Sequence, residues 1–157
     1  MRNDVGMTTL ASYASQAQTT PTSFIPEGVN MLQLEQPDCI KREITHVRIN
    51  RSFVLGLLED SSSWCLIRLN NILCFRFQTQ ELVFSPPISW TRKAAGELIA
   101  SLQLPAQARI HFQESREIVD AVLLGATRGL VATDSQFCPF VPIQAISSIE
   151  ISAKSHN

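Results

Sequence analysis

From residue 29 onward, hydrophobic residues come in short runs, many of them β-branched, with turn residues every eight to twelve positions. Runs of this length and spacing are typical of a small all-β barrel or sandwich. We predict one set of five strands before residue 79 and a second set of five after residue 107. The predicted strands are 29–35, 39–49, 52–59, 64–69 and 72–78 in the first set, and 108–113, 117–124, 128–133, 137–143 and 146–151 in the second.

The second strand of the first set changes its inward face along its length. Ile40 and Ile44 stand at even-numbered positions, whereas Val47 and Ile49 stand at odd-numbered positions. Because successive side chains of a strand point to opposite faces, this switch predicts a β-bulge or sharp bend near Thr45. Such a bend lets one strand serve both halves of a closed barrel.

Helical periodicity occurs once, over residues 89–104, where apolar residues recur every four positions. Ser89 is a natural N-cap, and Pro105 removes the amide that a continuing helix would need. The spacing therefore predicts one amphipathic helix between the two strand sets. Its apolar face consists of Trp90, Ala94, Leu98 and Leu102, with Ala95 and Ile99 beside them.

The two predicted strand sets match each other along their length. Val47 aligns with Val122 at an offset of 75, and after a single deletion Leu66 aligns with Phe140 at an offset of 74. Apolar residues meet apolar residues, with turn residues between them. This agreement indicates a tandem repeat.

A helix followed by five short, bent antiparallel strands, the order predicted for residues 89–151, resembles the Sm-like small β-barrel. The stretch Phe-Val-Pro-Ile-Gln-Ala-Ile-Ser-Ser-Ile at 140–149 is similar to the fourth strand, tight turn and fifth strand of such barrels. The chain also resembles a set of mainly actinobacterial proteins in which two such modules flank a helix. The resemblance implies tandem five-stranded barrels whose open fourth and fifth strands pair with another module, in this chain or in another subunit.

The chain divides into five segments on these grounds. Residues 1–27 are rich in Ser, Thr and Gln, a composition that predicts a disordered arm. Because each barrel has only about fifty residues, burial is marginal, and we expect the barrels to share an interface filled by the Trp90 face of the helix. The predicted segments are the arm 1–27, the first barrel 28–85, the linker helix 86–105, the second barrel 106–152 and a tail 153–157.

Composition limits the possible functions. Thirteen Lys and Arg residues against fourteen Asp and Glu residues give a net charge of −1. This charge argues against a protein that binds nucleic acid over a broad basic surface, but it leaves room for a local basic patch. The four cysteines are scattered and fall in apolar runs, so we expect them to be buried thiols of a cytoplasmic protein. No run is apolar enough for a membrane span. No catalytic or metal-binding motif is present, and we expect no enzyme activity, cofactor or metal.

Three groups of residues are candidates for contact with a partner. The basic second strand with the turn after it is a candidate RNA platform, although an ordinary solvated strand face explains it better. Two asparagines in the turn after the fourth strand can bond a base edge or, as we favour, cap their own turn. Aromatic residues near the end of the first set and on the helix are candidates for an interface. The groups are Lys41, Arg42, Arg48 and Arg51; Asn70 and Asn71; and Phe77, Phe84 and Trp90.

The repeat, the open strand edges and the missing catalytic groups favour a non-catalytic interaction or assembly module, with a protein partner or a second copy of the chain as its target. The alternative is an RNA-binding Sm-like protein that uses the basic second strand.

Overall fold

The computed structural model describes residues 25–58, 62–79 and 85–153, and these are mainly β with one α-helix, α1 (Ala95–Ala100). The mainly β class is confirmed. The first five strands form the first half of the structure, and the last five form the second half. The strands are β1 (Met31–Gln36), β2 (Ile40–Ile49), β3 (Phe53–Leu58), β4 (Ser63–Arg68), β5 (Cys74–Gln78), β6 (Ser89–Trp90), β7 (Ala106–Phe112), β8 (Ile118–Ala126), β9 (Leu130–Thr133), β10 (Phe140–Pro142) and β11 (Ile146–Ser152).

These strands form one sheet in the order β10-β9-β8-β7-β11-β4-β3-β2-β1-β5, antiparallel throughout except that β6 runs parallel to β2. Within each half the spatial order is fourth, third, second, first and fifth strand. The sheet has two open ends, so closed barrels are not seen. Among the described residues, β10 and β5 each have a strand neighbour on one side only.

The bend predicted in β2 is confirmed. The pairing of β2 with β3 shifts register between Thr45 and Arg48, and the backbone φ of His46 is 54°. Ile44, before the shift, and Val47, after it, are both buried in the first core. An extra residue in the strand therefore lets side chains of opposite parity face the same core.

The helix is much shorter than predicted. Residues 89 and 90 form β6, and the amide of Thr91 donates to the carbonyl of Ile49 at 2.8 Å. Pairing with β2 thus overrides the helical periodicity at the start of the segment. Ala94, not Ser89, is the N-cap of α1, and its amide donates to Glu97 Oε1 at 3.3 Å.

The two halves join where β4 pairs with β11. The two strands are antiparallel over five positions, with Ile149 opposite Leu66. The guanidinium of Arg42 donates across this junction to Glu150 at 2.7 Å. The two strand sets thus share an interface within the chain, but the expectation that the Trp90 face of a helix fills it is wrong, because Trp90 lies on β6 and packs on the first core.

Two hydrophobic cores lie on the sheet. The first is built from the first half, with Ile88 from the connecting segment. The second extends across the junction, because Phe53, Leu55 and Leu66 of the first half are buried together with α1 and the second half. The second half therefore covers apolar surface that the first half alone would leave exposed.

The predicted termini fall largely outside the described residues. Of the arm 1–27, residues 25–27 are described, and Ile25 packs there against the first core. Only residue 153 of the predicted tail 153–157 is described. In the ranges that the structure covers, no helix has the length and apolar character that crossing a bilayer requires.

Candidate functional site

A cleft of about 670 Å³ opens between the two halves. One wall is the turn between β2 and β3 together with the segment 90–95 that leads into α1. The opposite wall comes from the second half, through Arg128 in the turn between β8 and β9 and Gln144 in the turn between β10 and β11. The cleft is thus assembled from four turns or connections that are distant in sequence.

The Asn50 side chain organises the first wall. Its Oδ1 accepts from the amides of Ser52 at 2.8 Å and Phe53 at 2.6 Å. Its Nδ2 donates to the carbonyl of Lys93 at 3.0 Å. One buried amide therefore shapes the β2–β3 turn and ties the segment before α1 to it.

Arg68, at the end of β4, links the cleft to the second half. Its Nε donates to the carbonyl of Ile146 at 2.9 Å, and its Nη2 donates to the carbonyl of Ile143 at 2.6 Å. The guanidinium carbon lies 4.4 Å from the centre of the Phe53 ring. Burial lowers the pKa of Arg68, because desolvation disfavours the charged form. Two bonded N–H groups leave other donors of the guanidinium for a ligand.

The charge of the cleft is strongly positive. Five cationic side chains line it and no carboxylate does. Of the five, only the exposed Arg128 forms an ion pair in the described part of the chain, with Glu97 at 3.6 Å. The chemistry of such a cleft suits an anion. The cationic residues are Arg51, Arg68, Arg92, Lys93 and Arg128.

The basic residues predicted on β2 do not form one surface. Lys41 and Arg42 lie at one end of the strand, and Arg42 is held by Glu150 and by Gln36 Oε1, at 2.9 Å. Arg48 lies six residues beyond Arg42, where its Nη2 donates to Ser101 Oγ at 3.4 Å. Only Arg51 lines the cleft. The basic residues that we predicted as one platform are thus spread along about 20 Å of the strand.

The side chain of Asn70 does not cap its own turn, which is the role we favoured for the asparagine pair after β4. The backbone closes this turn, since the amide of Ile72 donates to the carbonyl of Leu69 at 3.1 Å. Asn70 Nδ2 instead donates to Gln113 Oε1 of the second half at 3.4 Å, and Asn71 is half-buried. Neither asparagine lines the cleft.

The predicted interface aromatics are separated as well. Phe77, on the open-edge strand β5, packs against the first core and meets Phe75 edge to face at 5.1 Å. Trp90 lies on β6 rather than on the helix, where it packs on the first core and lines the cleft. Phe84 is outside the described residues.

Four of the five cleft cations are not among the predicted site residues, namely Arg68, Arg92, Lys93 and Arg128. Only Arg92 and Lys93 are adjacent in sequence, and neither belongs to the apolar face of the predicted helix. The cleft forms only because β4 pairs with β11 and β6 pairs with β2. No local pattern signals it.

The prediction that all four cysteines are buried is wrong. Only Cys65 is buried, and Cys39 is exposed. Burial raises the pKa of the Cys65 thiol to about 12; nearby Arg42 partly opposes this rise, and Glu150 adds to it.

Cys65 should make stability sensitive to alkaline pH. A folded-state pKa above the ordinary 9.0 favours folding below that pH, and this contribution is lost as pH rises toward 12. We expect the free energy of unfolding to fall by up to about 1.4 kcal/mol per pH unit more in the wild type than in Cys65→Ala. Urea titrations from pH 9 to 12 measure the two slopes. Parallel slopes would contradict the burial of this thiol.

Comparison with known proteins gives no relative: a scan against family models finds no match, and no curated protein matches the sequence. The geometry of the described residues is therefore the support for the function proposed next.

Proposed function

We propose that the chain is a non-catalytic assembly module, made of tandem Sm-like units, that joins head to tail with further copies of itself. One observation carries this proposal. The internal junction pairs the fourth strand of one half with the fifth strand of the other, and the same two kinds of strand, β10 and β5, are the open ends of the sheet among the described residues. A second copy can therefore repeat a contact that the chain already makes with itself.

The burial of equivalent positions supports this contact. Leu66 of β4 is 0% exposed because β11 and the second core cover it. Its counterpart 74 positions later is Phe140 of β10, which is 65% exposed. Nearby Phe137 is 96% exposed. Two large aromatic side chains beside an open strand edge are typical of an interaction surface.

The internal junction also supplies a register for the contact. Ile149 lies opposite Leu66 within the chain, so the offset of 74 places Phe75 of one copy opposite Phe140 of the next. The contact between copies therefore depends more on aromatic side chains than the internal junction does.

The two edges differ, so the contact is heterologous. Repeating it from copy to copy gives a closed ring when the rotation between copies closes, and a filament when it does not. We propose a ring, in which every open edge is paired.

Replacing Phe140 by Lys should dissociate the assembly into single chains. The side chain is largely exposed within one copy, so a charge there has little effect on folding but opposes strand pairing. Sedimentation velocity at several concentrations measures the change. Leu124→Lys is the matched control, since Leu124 is 52% exposed on β8, which has a strand on each side. A wild type that stays a single chain at every concentration, or equal dissociation by both variants, would contradict the proposal.

Cysteine cross-linking tests the register. The internal pair Ser152 and Ser63 corresponds to Gln78 and Phe137 of adjoining copies. Oxidation of the double variant Gln78→Cys with Phe137→Cys should give a ladder of linked chains on a denaturing gel, because the proposed register, continued from β10 back to position 137, brings the two sulfurs within bonding range. The single variants and the wild type serve as controls for the native thiols. A ladder no longer than theirs would rule out this register.

A further inference from the structure

We propose that the cleft between the two halves binds a small phosphorylated ligand of the nucleoside polyphosphate class. This binding is separate from the assembly of copies. It rests on a cavity of about 670 Å³ lined by five cationic side chains and by no carboxylate.

The concentration of charge is the first argument. The whole chain has a net charge of −1, yet five of its thirteen Lys and Arg residues line one cavity. Arg51, Arg92 and Lys93 have no ion-pair partner among the described residues. Like charges around a concave surface focus a positive potential there, and a multiply charged anion relieves their repulsion. Guanidinium groups match phosphate oxygens in geometry as well as in charge.

The cleft is also held in shape before any ligand arrives. Asn50 fixes the turn that carries Arg51 and, through the carbonyl of Lys93, the segment with the next two cations. Arg68 is held by two carbonyls of the second half. Cations on a pre-organised frame lose less conformational entropy on binding than free surface side chains do.

The apolar part of the cleft indicates that the ligand is more than inorganic phosphate. The half-buried indole of Trp90, the methyl of Ala95 and the side chain of Ile143 line the same cavity as the cations. A base is planar and has a stacking face, so it suits the exposed part of an indole. The hydroxyl of Ser52 and the amide of Gln144 are further polar groups at the cavity wall.

The extent of the basic surface favours a small molecule over a nucleic-acid strand. The cavity has the size of ordinary small-ligand sites. A longer strand would need a basic path beyond the cleft, but Lys41 and Arg42 lie at the far end of β2, and Arg42 is neutralised by Glu150. The positive charge is thus confined to a site of nucleotide size.

Isothermal titration calorimetry with the four ribonucleoside triphosphates, with inorganic tripolyphosphate and with a single-stranded RNA hexamer tests the proposal on the full chain. We expect a triphosphate to bind more tightly than tripolyphosphate, with an affinity that falls as salt rises. The double variant Arg92→Ser with Lys93→Ser should bind about 100-fold more weakly, because two charge-assisted contacts are lost. The matched control is Arg109→Ser with Arg116→Ser, which removes two exposed cations outside the cleft and should keep the wild-type affinity.

Tryptophan fluorescence locates the base. Quenching on binding should vanish in Trp90→Phe and persist in Trp64→Phe, since only Trp90 lines the cleft.

Equal binding by the cleft and control variants, or no triphosphate binding, overturns the proposal. Equal affinity for tripolyphosphate and the triphosphates would show that the base does not contribute to binding. If the RNA hexamer binds far more tightly than any triphosphate and uses the same cations, the proposal of a small ligand is wrong and the cleft binds nucleic acid instead.

Discussion

Replacing Gly96 by Ala should destabilise the chain by about 3 kcal/mol or more, although alanine is the better helix former. A Cβ at this position would lie 1.5 Å from the carbonyl oxygen of Thr127 and 2.6 Å from its carbonyl carbon. Both are backbone atoms of the β8–β9 turn, so no side-chain rotation relieves the clash. The helix must move off the second half, and this exposes the neighbouring buried Leu98 and Ile99.

Chemical denaturation measures this effect, and Gly129→Ala in the adjoining turn is the matched control. A Cβ at Gly129 meets nothing within 4 Å, so the free energy of unfolding should stay near the wild-type value. The helix propensity gained at position 96 is about 1 kcal/mol, which is too small to reverse the sign. A Gly96→Ala variant as stable as the wild type would show that α1 does not pack on the turn as described.

Strand-forming patterns are local, which is why the sequence predicts them well. Ten of the strands follow from β-branched runs between turn residues, and the bend in β2 follows from the parity of Ile44 against Val47. Both signals depend only on neighbours along one strand. The structure places the register shift next to Thr45, where the parity changes.

The helix shows where local patterns fail. Trp90 fits the helical periodicity, but its backbone pairs with Ile49 of β2, a contact made across forty residues of chain. Strand pairing of this kind competes with helix propensity and leaves no trace in the spacing of apolar residues. The sequence also does not show that position 96 needs a glycine. That need arises from the β8–β9 turn of the second half, which lies against Gly96.

The cleft could not be predicted for the same reason. Its cations come from positions 51, 68, 92, 93 and 128, and they meet only through long-range strand pairing. The residues that did look basic in sequence, Lys41 and Arg42, lie elsewhere, and one of them is used to join the two halves. Charge counted along the chain therefore identified a structural ion pair and missed the cleft that five cations line.

Replacing Arg68 by Lys should cost about 3 kcal/mol of stability, even though the charge is kept. Arg68 bonds the carbonyls of Ile143 and Ile146 with two different nitrogens of one planar group. A single ammonium cannot reach both carbonyls with the same geometry, and it loses the stacking of the guanidinium over Phe53. Hydrogen bonds from charged donors contribute about 1.5–3 kcal/mol each, so the loss of one bond and the stacking gives the expected size.

Urea denaturation of Arg68→Lys beside Arg109→Lys separates this bridging role from a general effect of removing a guanidinium. Arg109 is exposed and bonds the exposed carboxylate of Asp120, holding the pKa of that carboxyl below its ordinary value, so its replacement should change stability little. Because Arg68 contacts the second half from the last residue of β4, its loss weakens the strand junction that orders the cleft. Arg68→Lys should therefore lower ligand affinity as well as stability, whereas Arg109→Lys should change neither. Equal loss of stability in the two variants would show that the carbonyl bonds of Arg68 add nothing to the junction.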